Sequence, residues 1–211
     1  MKLPLTFTMV LLSFGLASAG TVYSVTGTPN GFAYSLGGTS DQMLVSSWTQ
    51  TGSYTNVSIS AVLGSGEPIS VYLTNQIGPG TTVANEIGST SISPSASPQT
   101  ETLFTGLSLG AGSYYLVLAA PTTGIAGWFG TSSPTVTTDT GVTGHPDVFV
   151  STSNGSPNSA FPPASSFLPA GTNLLFTVTG DVGSTVPEPS SFMMMGLAGI
   201  FLFSVKSRLP R

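Results

Sequence analysis

Apolar and polar residues alternate with a period of two along much of this chain. Val57, Ile59, Ala61 and Leu63 fall on one side of a pleat, and Ile69, Val71 and Leu73 on one side of the next. Tyr114 to Ala119 forms an unbroken apolar run, the pattern of a strand buried on both faces. The stretch 173–179 reads as a closing strand, and further strands are predicted at 21–26, 32–36, 42–49, 101–109, 124–129 and 147–152. Almost no helical period is present, because 26 Gly and 16 Pro interrupt the 211 residues too often for long helices. Many short strands separated by turn residues predict an all-β fold, an antiparallel β-sandwich of jelly-roll type. Pro-, Ser-, Thr- and Gly-rich segments at 75–100 and 131–165 are predicted as loops, the second irregular around 156–169.

The two ends break this pattern. Lys2 is followed by a mostly apolar stretch from Leu3 to Leu16 and then by Ala17-Ser18-Ala19. That is the layout of a secretory signal peptide with an A-x-A site, so residues 1–19 are expected to be removed after Ala19. At the other end Val186-Pro187-Glu188-Pro189 is stiff and non-helical, Ser190 can cap a helix, and 192–205 is apolar apart from Ser204. As a helix, 190–205 would span roughly 24 Å, short of the roughly 30 Å of a bilayer core. Lys206, Arg208 and Arg211 close the chain and would hold that end on the cytoplasmic side. The division expected is therefore 1–19, a body of 20–185, and a tail of 186–211.

The tail resembles the PEP-CTERM sorting signal of bacterial exported proteins. The resemblance rests on Val186-Pro187-Glu188-Pro189-Ser190-Ser191, the short apolar stretch containing Gly196-Leu197-Ala198-Gly199, and the basic end, in which Ser207, Leu209 and Pro210 dilute the cations. It implies an exosortase-type membrane transpeptidase as partner, alongside the secretion machinery. It also implies cutting near Pro187-Glu188-Pro189 and a destination at the cell surface or in an exopolysaccharide or biofilm matrix. A second resemblance covers the order 69–74, Gly78-Pro79-Gly80, 107–118 and Trp128. It is to the exported β-sandwich domains found in front of bacterial anchor signals, and it implies a fold and no catalytic residue.

Charge narrows what the body can do. Of eight acids only Glu188 lies outside 20–185, and every Lys and Arg does, so the body carries a formal charge of −7 with His145 neutral. Nucleic acid and anionic lipid surfaces need cations that the body lacks, so neither is a partner. The absence of cysteine removes disulfides, thiol catalysis and thiolate metal sites.

Several residues are candidates for chemistry. His145-Pro146-Asp147 places the single histidine near a carboxylate, but no Gly-x-Ser-x-Gly accompanies it, and a solvated loop histidine is the better reading. The seven body acids are scattered singly, which argues against the carboxylate pair of a glycoside hydrolase. Calcium is a candidate ligand: Asp139, Asp147 and Asp181 with loop carbonyls are the donors it would use, although no Asp-x-Asp-x-Asp spacing is present, so no cofactor is assigned. Trp48, Trp128, Tyr34 and Tyr54 would stack on sugar rings if exposed, but core filling is their more ordinary role. Asn56-Val57-Ser58 and Asn154-Gly155-Ser156 fit a glycosylation sequon, and Leu168-Pro169-Ala170-Gly171-Thr172 imitates a sortase box with its last two residues reversed. The sequence favours a non-enzymatic surface or matrix protein with a structural or adhesive role. A carbohydrate-binding module on exopolysaccharide is the alternative, and a glycoside hydrolase the third reading.

Overall fold

The computed structural model describes residues 19–29, 33–37, 42–64, 67–120, 125–151 and 160–183. They form two antiparallel sheets and, apart from strands, only the three-residue 3-10 turns Val83–Asn85 and Pro162–Ala164. The first sheet contains β1 (Gly20–Thr26), β2 (Ala33–Gly37), β4 (Tyr54–Gly64), β7 (Gln99–Leu109), β9 (Ile125–Thr131), β10 (Thr135–Thr138), β13 (Asn173–Leu174) and β14 (Phe176–Val182). Its order is β10-β1-β14-β4-β9-β13, with β7 on β4 and β2 on β9. The second sheet contains β3 (Met43–Gln50), β5 (Ile69–Thr74), β6 (Glu86–Ile92), β8 (Gly112–Ala119), β11 (Val142–Ser151) and β12 (Phe167–Pro169). Its order is β12-β11-β3-β8-β5-β6.

The period-two pattern does what the sequence predicts. Val57, Ile59, Ala61 and Leu63 of β4 are buried, while Ser58, Ser60 and Val62 lie on the other side. Apolar residues of both sheets enter one core. Phe176 of β14 marks its centre: its ring meets Tyr23 of β1 edge-on at 5.2 Å, Trp128 of β9 at 6.2 Å, and Trp48 of the second sheet at 6.3 Å. Gly144 of β11 has no side chain because the Tyr23 ring occupies the place a Cβ would take.

The middle of the second sheet is buried on both faces, as six consecutive buried residues of β3 show. Val45, Val117 and Tyr72 lie in one cross-strand row on the face turned away from the common core. A strap around Pro162–Ala164 crosses that face. Phe161 packs edge-on against Tyr72 at 5.7 Å, and Gly78 N–H donates to the Pro163 carbonyl at 2.8 Å.

The structure corrects three predictions about the chain path. The predicted loop 75–100 contains β6, and 131–165 contains β10 and the first half of β11. β10 reads Thr-Val-Thr-Thr and is wholly exposed, and β6 alternates only between exposed and half-buried. An edge strand facing solvent takes its order from its neighbour's hydrogen bonds and needs no apolar periodicity. The closing strand breaks at Leu175, whose N–H donates to the Phe129 carbonyl (2.9 Å) while its carbonyl accepts from Val62 N–H (3.1 Å) and Trp128 Nε1–H (3.0 Å). There the chain changes partner from β9 to β1 and β4. The Gly110-Ala111 turn is a corner between sheets: β7 pairs with β4, and β8 with β3 and β5. The apolar helix expected at 190–205 lies outside the described residues, among which no helix is long and apolar enough to cross a membrane.

Candidate functional site

The chain enters and leaves the body at one end of the first sheet. β1 and β14 are antiparallel neighbours, with Gly20 opposite Gly180. β14 lies between β1 and β4 and pairs as far as Val182 opposite Tyr54. Gly183 N–H then donates to the Ser53 carbonyl at 2.8 Å. A β-bulge sits in this region: Asn56 adopts φ 51°, a left-handed conformation that asparagine tolerates better than most residues, and its Nδ2 donates to Asp181 Oδ2 at 2.7 Å.

Hydrogen bonds stitch three turns together at this end, 51–53, 110–111 and 139–141. Thr51 N–H donates to the Gly141 carbonyl at 3.0 Å. Gln50 is 1% exposed, and its Nε2 donates to the carbonyls of Gly110 (2.8 Å), Leu109 (3.3 Å) and Gly52 (3.3 Å). Its Oε1 accepts from Trp48 Nε1–H at 3.0 Å, so its amide is fully used. Tyr114 donates to the same Gly110 carbonyl (2.7 Å) and stacks on Trp48 at 5.4 Å. Sequence reasoning missed Gln50. The one signal was a long polar residue at the end of the strand, two positions after Trp48 and so on the same face.

A cleft of about 450 Å³ opens beside these turns, bounded by Ser53, Tyr54, Asp139 and Val182. Tyr54 donates to Asp139 Oδ2 at 3.0 Å, and Thr140 N–H to Asp139 Oδ1 at 2.7 Å. Burial, then the hydrogen bond and charge of Asp139, push the Tyr54 hydroxyl above its ordinary pKa. A protonated phenol held by an occupied carboxylate offers neither a nucleophile nor a free base.

The other sequence-predicted residues are dispersed. Trp48 and Trp128 are 0% exposed and Tyr54 is buried, so they fill the core and offer no sugar-stacking face; Tyr34 is half-buried and packs against the core. His145 is exposed on β11 opposite Ser47, and the side chain of Asp147 lies outside the described residues. Glu86 accepts from Ser89, and Glu101 accepts from Gln99 and from Ser95 N–H, contacts that hold the Glu101 carboxyl below the usual range. Asp139 and Asp181 are engaged as above, and among the described residues no three His, Cys, Asp or Glu side chains come together to hold a metal. Leu168 and Pro169 belong to β12, which leads by a short loop into β13.

The outer face of the first sheet is uncharged where its hydroxyls align. Thr137, Ser24, Thr177, Ser60 and Thr102 stand opposite one another across five strands, from β10 to β7.

Ala17, Val186, Pro187, Glu188, Pro189, Lys206, Arg208 and Arg211 lie outside the described residues, and Ala19 is the first exposed residue before β1. No curated protein and no solved structure matches the chain. One family model does match, that of the PEP-CTERM protein-sorting motif, over residues 185–208. This motif implies export, surface sorting and recognition by exosortase. Behind its all-β body, beginning two residues beyond the pinned Gly183, the chain carries the PEP-CTERM protein-sorting motif.

Proposed function

We infer that this is a cargo protein in three parts. Residues 1–19 are a signal peptide removed after Ala19. Residues 20–185 are the exported body, its two sheets packed as a jelly-roll-like sandwich. Residues 186–211 are the sorting signal, whose apolar stretch and basic Lys206, Arg208 and Arg211 hold it in the membrane until an exosortase-type transpeptidase cuts near Pro187-Glu188-Pro189. The body then serves a structural or adhesive role at the cell surface or in the extracellular matrix.

The observation that carries this reading is the sorting motif at 185–208, placed directly after the last pinned residue of a folded body. The dispersed acids and exposed His145 lend no support to a glycoside hydrolase, and the interior positions of Trp48 and Trp128 remove the stacking residues of a carbohydrate-binding module. Apart from the buried Ser24, the row of hydroxyls on the first sheet suits adhesion to a neutral, hydrogen-bonding surface better than to a charged one.

The test is the intact mass of the protein from its native host, with membrane, surface and medium fractions kept separate. A species starting at Gly20 and ending near Pro187-Glu188-Pro189, converted to an uncut membrane form by Glu188→Ala, is the expected result. A mass retaining everything to Arg211 in membranes alone would sink the reading.

A further inference from the structure

The exit geometry restricts how a membrane-embedded enzyme can reach the motif. Pro187 is four residues beyond Gly183, so at full extension the two are at most about 14 Å apart. Phe192, where the apolar stretch begins, is nine residues away and at most about 32 Å. Fraying can lengthen this tether by only about three residues, because β14 is paired on both sides as far as Gly180 and its Phe176 and Val178 side chains are in the core. The folded body must therefore stand with one end against whatever holds the tail.

That end is the one built by the turns 51–53, 110–111 and 139–141, stitched together by Gln50 and by the Thr51–Gly141 and Gly183–Ser53 hydrogen bonds. It is a low surface. These turns consist of Thr, Gly, Ser, Ala and Asp, and Cβ atoms built on Gly52 or Gly110 would meet nothing within 4 Å. Its acids are Asp139, both of whose oxygens accept hydrogen bonds, and Asp181, held by Asn56, and its one cation is the α-amino group that removal of 1–19 would leave on Gly20. One terminal ammonium beside two carboxylates gives anionic lipid headgroups little to bind, whereas a protein surface can approach closely.

We propose that this end is the docking face of the folded body for the membrane transpeptidase that reads the sorting motif. The proposal rests on the sorting reading above and adds which surface the enzyme meets. It requires the body to be folded when the tail is cut.

Processing in the native host, followed by pulse-chase and intact mass, tests it. Gly52→Trp and Gly110→Trp put bulk on the docking face at open positions, and their melting temperatures establish that they fold. Glu67→Trp adds the same bulk near the start of β5, at the opposite end. The two docking-face variants should be cut at least tenfold more slowly than the parent. Glu67→Trp should match the parent, and a six-residue Gly-Ser insertion after Gly183 should restore cutting of Gly52→Trp. Parental rates for both docking-face variants, equal slowing by Glu67→Trp, or slowing that the insertion does not relieve would each overturn the proposal. If those results came while Glu188→Ala still blocked cutting, the sorting reading would stand and the docking face alone would fall. Normal cutting of Glu188→Ala would remove both.

Discussion

Replacing Tyr23 by phenylalanine deletes one oxygen from the centre of the body, and the consequence should depend on pH. The side chain is 0% exposed, lies edge-on to Phe176, and is covered from the second sheet by Gly144. Its hydroxyl has no hydrogen-bond partner. Removing an unpaired buried hydroxyl breaks no bond and relieves a desolvation cost, so at pH 8 the variant should be as stable as the parent or up to about 2 kcal/mol more stable. Burial also pushes this hydroxyl from 10.0 up to about 12. A raised pKa means that the contribution is complete below pH 10 and is lost as the pH climbs toward the folded value. At pH 11 the unfolded phenol is mostly ionised and the folded one mostly protonated, so the parent loses about 1.4 kcal/mol that the variant keeps. The full difference beyond pH 12 is about 2.7 kcal/mol. Urea unfolding at pH 8 and pH 11, followed by fluorescence of the buried Trp48 and Trp128, measures this directly. Tyr54 and Tyr114, which burial also raises, titrate in both proteins and cancel in the comparison. A difference between variant and parent that stays constant from pH 8 to pH 11 would refute the reasoning. So would a loss above about 1 kcal/mol at pH 8, since it would mean that the hydroxyl was bonded after all.

Other substitutions probe the terminal end and the core. Gln50→Leu strands the Trp48 indole N–H and leaves the Gly110 carbonyl with Tyr114 in place of two side-chain donors, and should cost about 1–3 kcal/mol in urea unfolding. Asn56→Ala forces alanine into a left-handed conformation and removes the bond to Asp181; a loss of about 1–2 kcal/mol is expected, with Asn56→Gly recovering the backbone part. Gly144→Ala drives a methyl into the Tyr23 ring and should lower stability by about 1–3 kcal/mol, with the melting temperature falling accordingly. Raising NaCl from low to moderate concentration should leave the urea midpoint unchanged or higher, because the body has acids to screen and no Lys or Arg to pair them. A midpoint that falls with salt would expose an attractive ion pair that the sequence does not provide.

The strand pattern, the all-β class and the C-terminal sorting motif were legible in the sequence because each is a local property. Alternation in Val57-Ile59-Ala61-Leu63 requires only that one face of a strand be buried, and Pro187-Glu188-Pro189 with its apolar and basic sequel is read as a linear motif. The charge balance, too, follows from counting residues. What lies between depended on partners that the local sequence does not name. β6 and β10 are strands because β5 and β1 supply their hydrogen bonds, and their Ser- and Thr-rich sequences look like loops in isolation. Leu175 ends one pairing and begins another only because Phe129, Val62 and Trp128 surround its peptide groups. Gln50 becomes the clasp of the terminal end only when β3 brings it beneath the corner after β7. The aromatic residues were ambiguous in sequence, since a tryptophan on an alternating strand can face either side; burial placed Trp48 and Trp128 inside. The sequence by itself determined where apolar side chains recur and that the tail carries a sorting motif, because backbone period and linear motifs are encoded residue by residue. The tertiary structure decided which strands pair, where the chain leaves the body and which polar groups are satisfied, because a hydrogen bond between distant residues exists only after both have been brought to the same place.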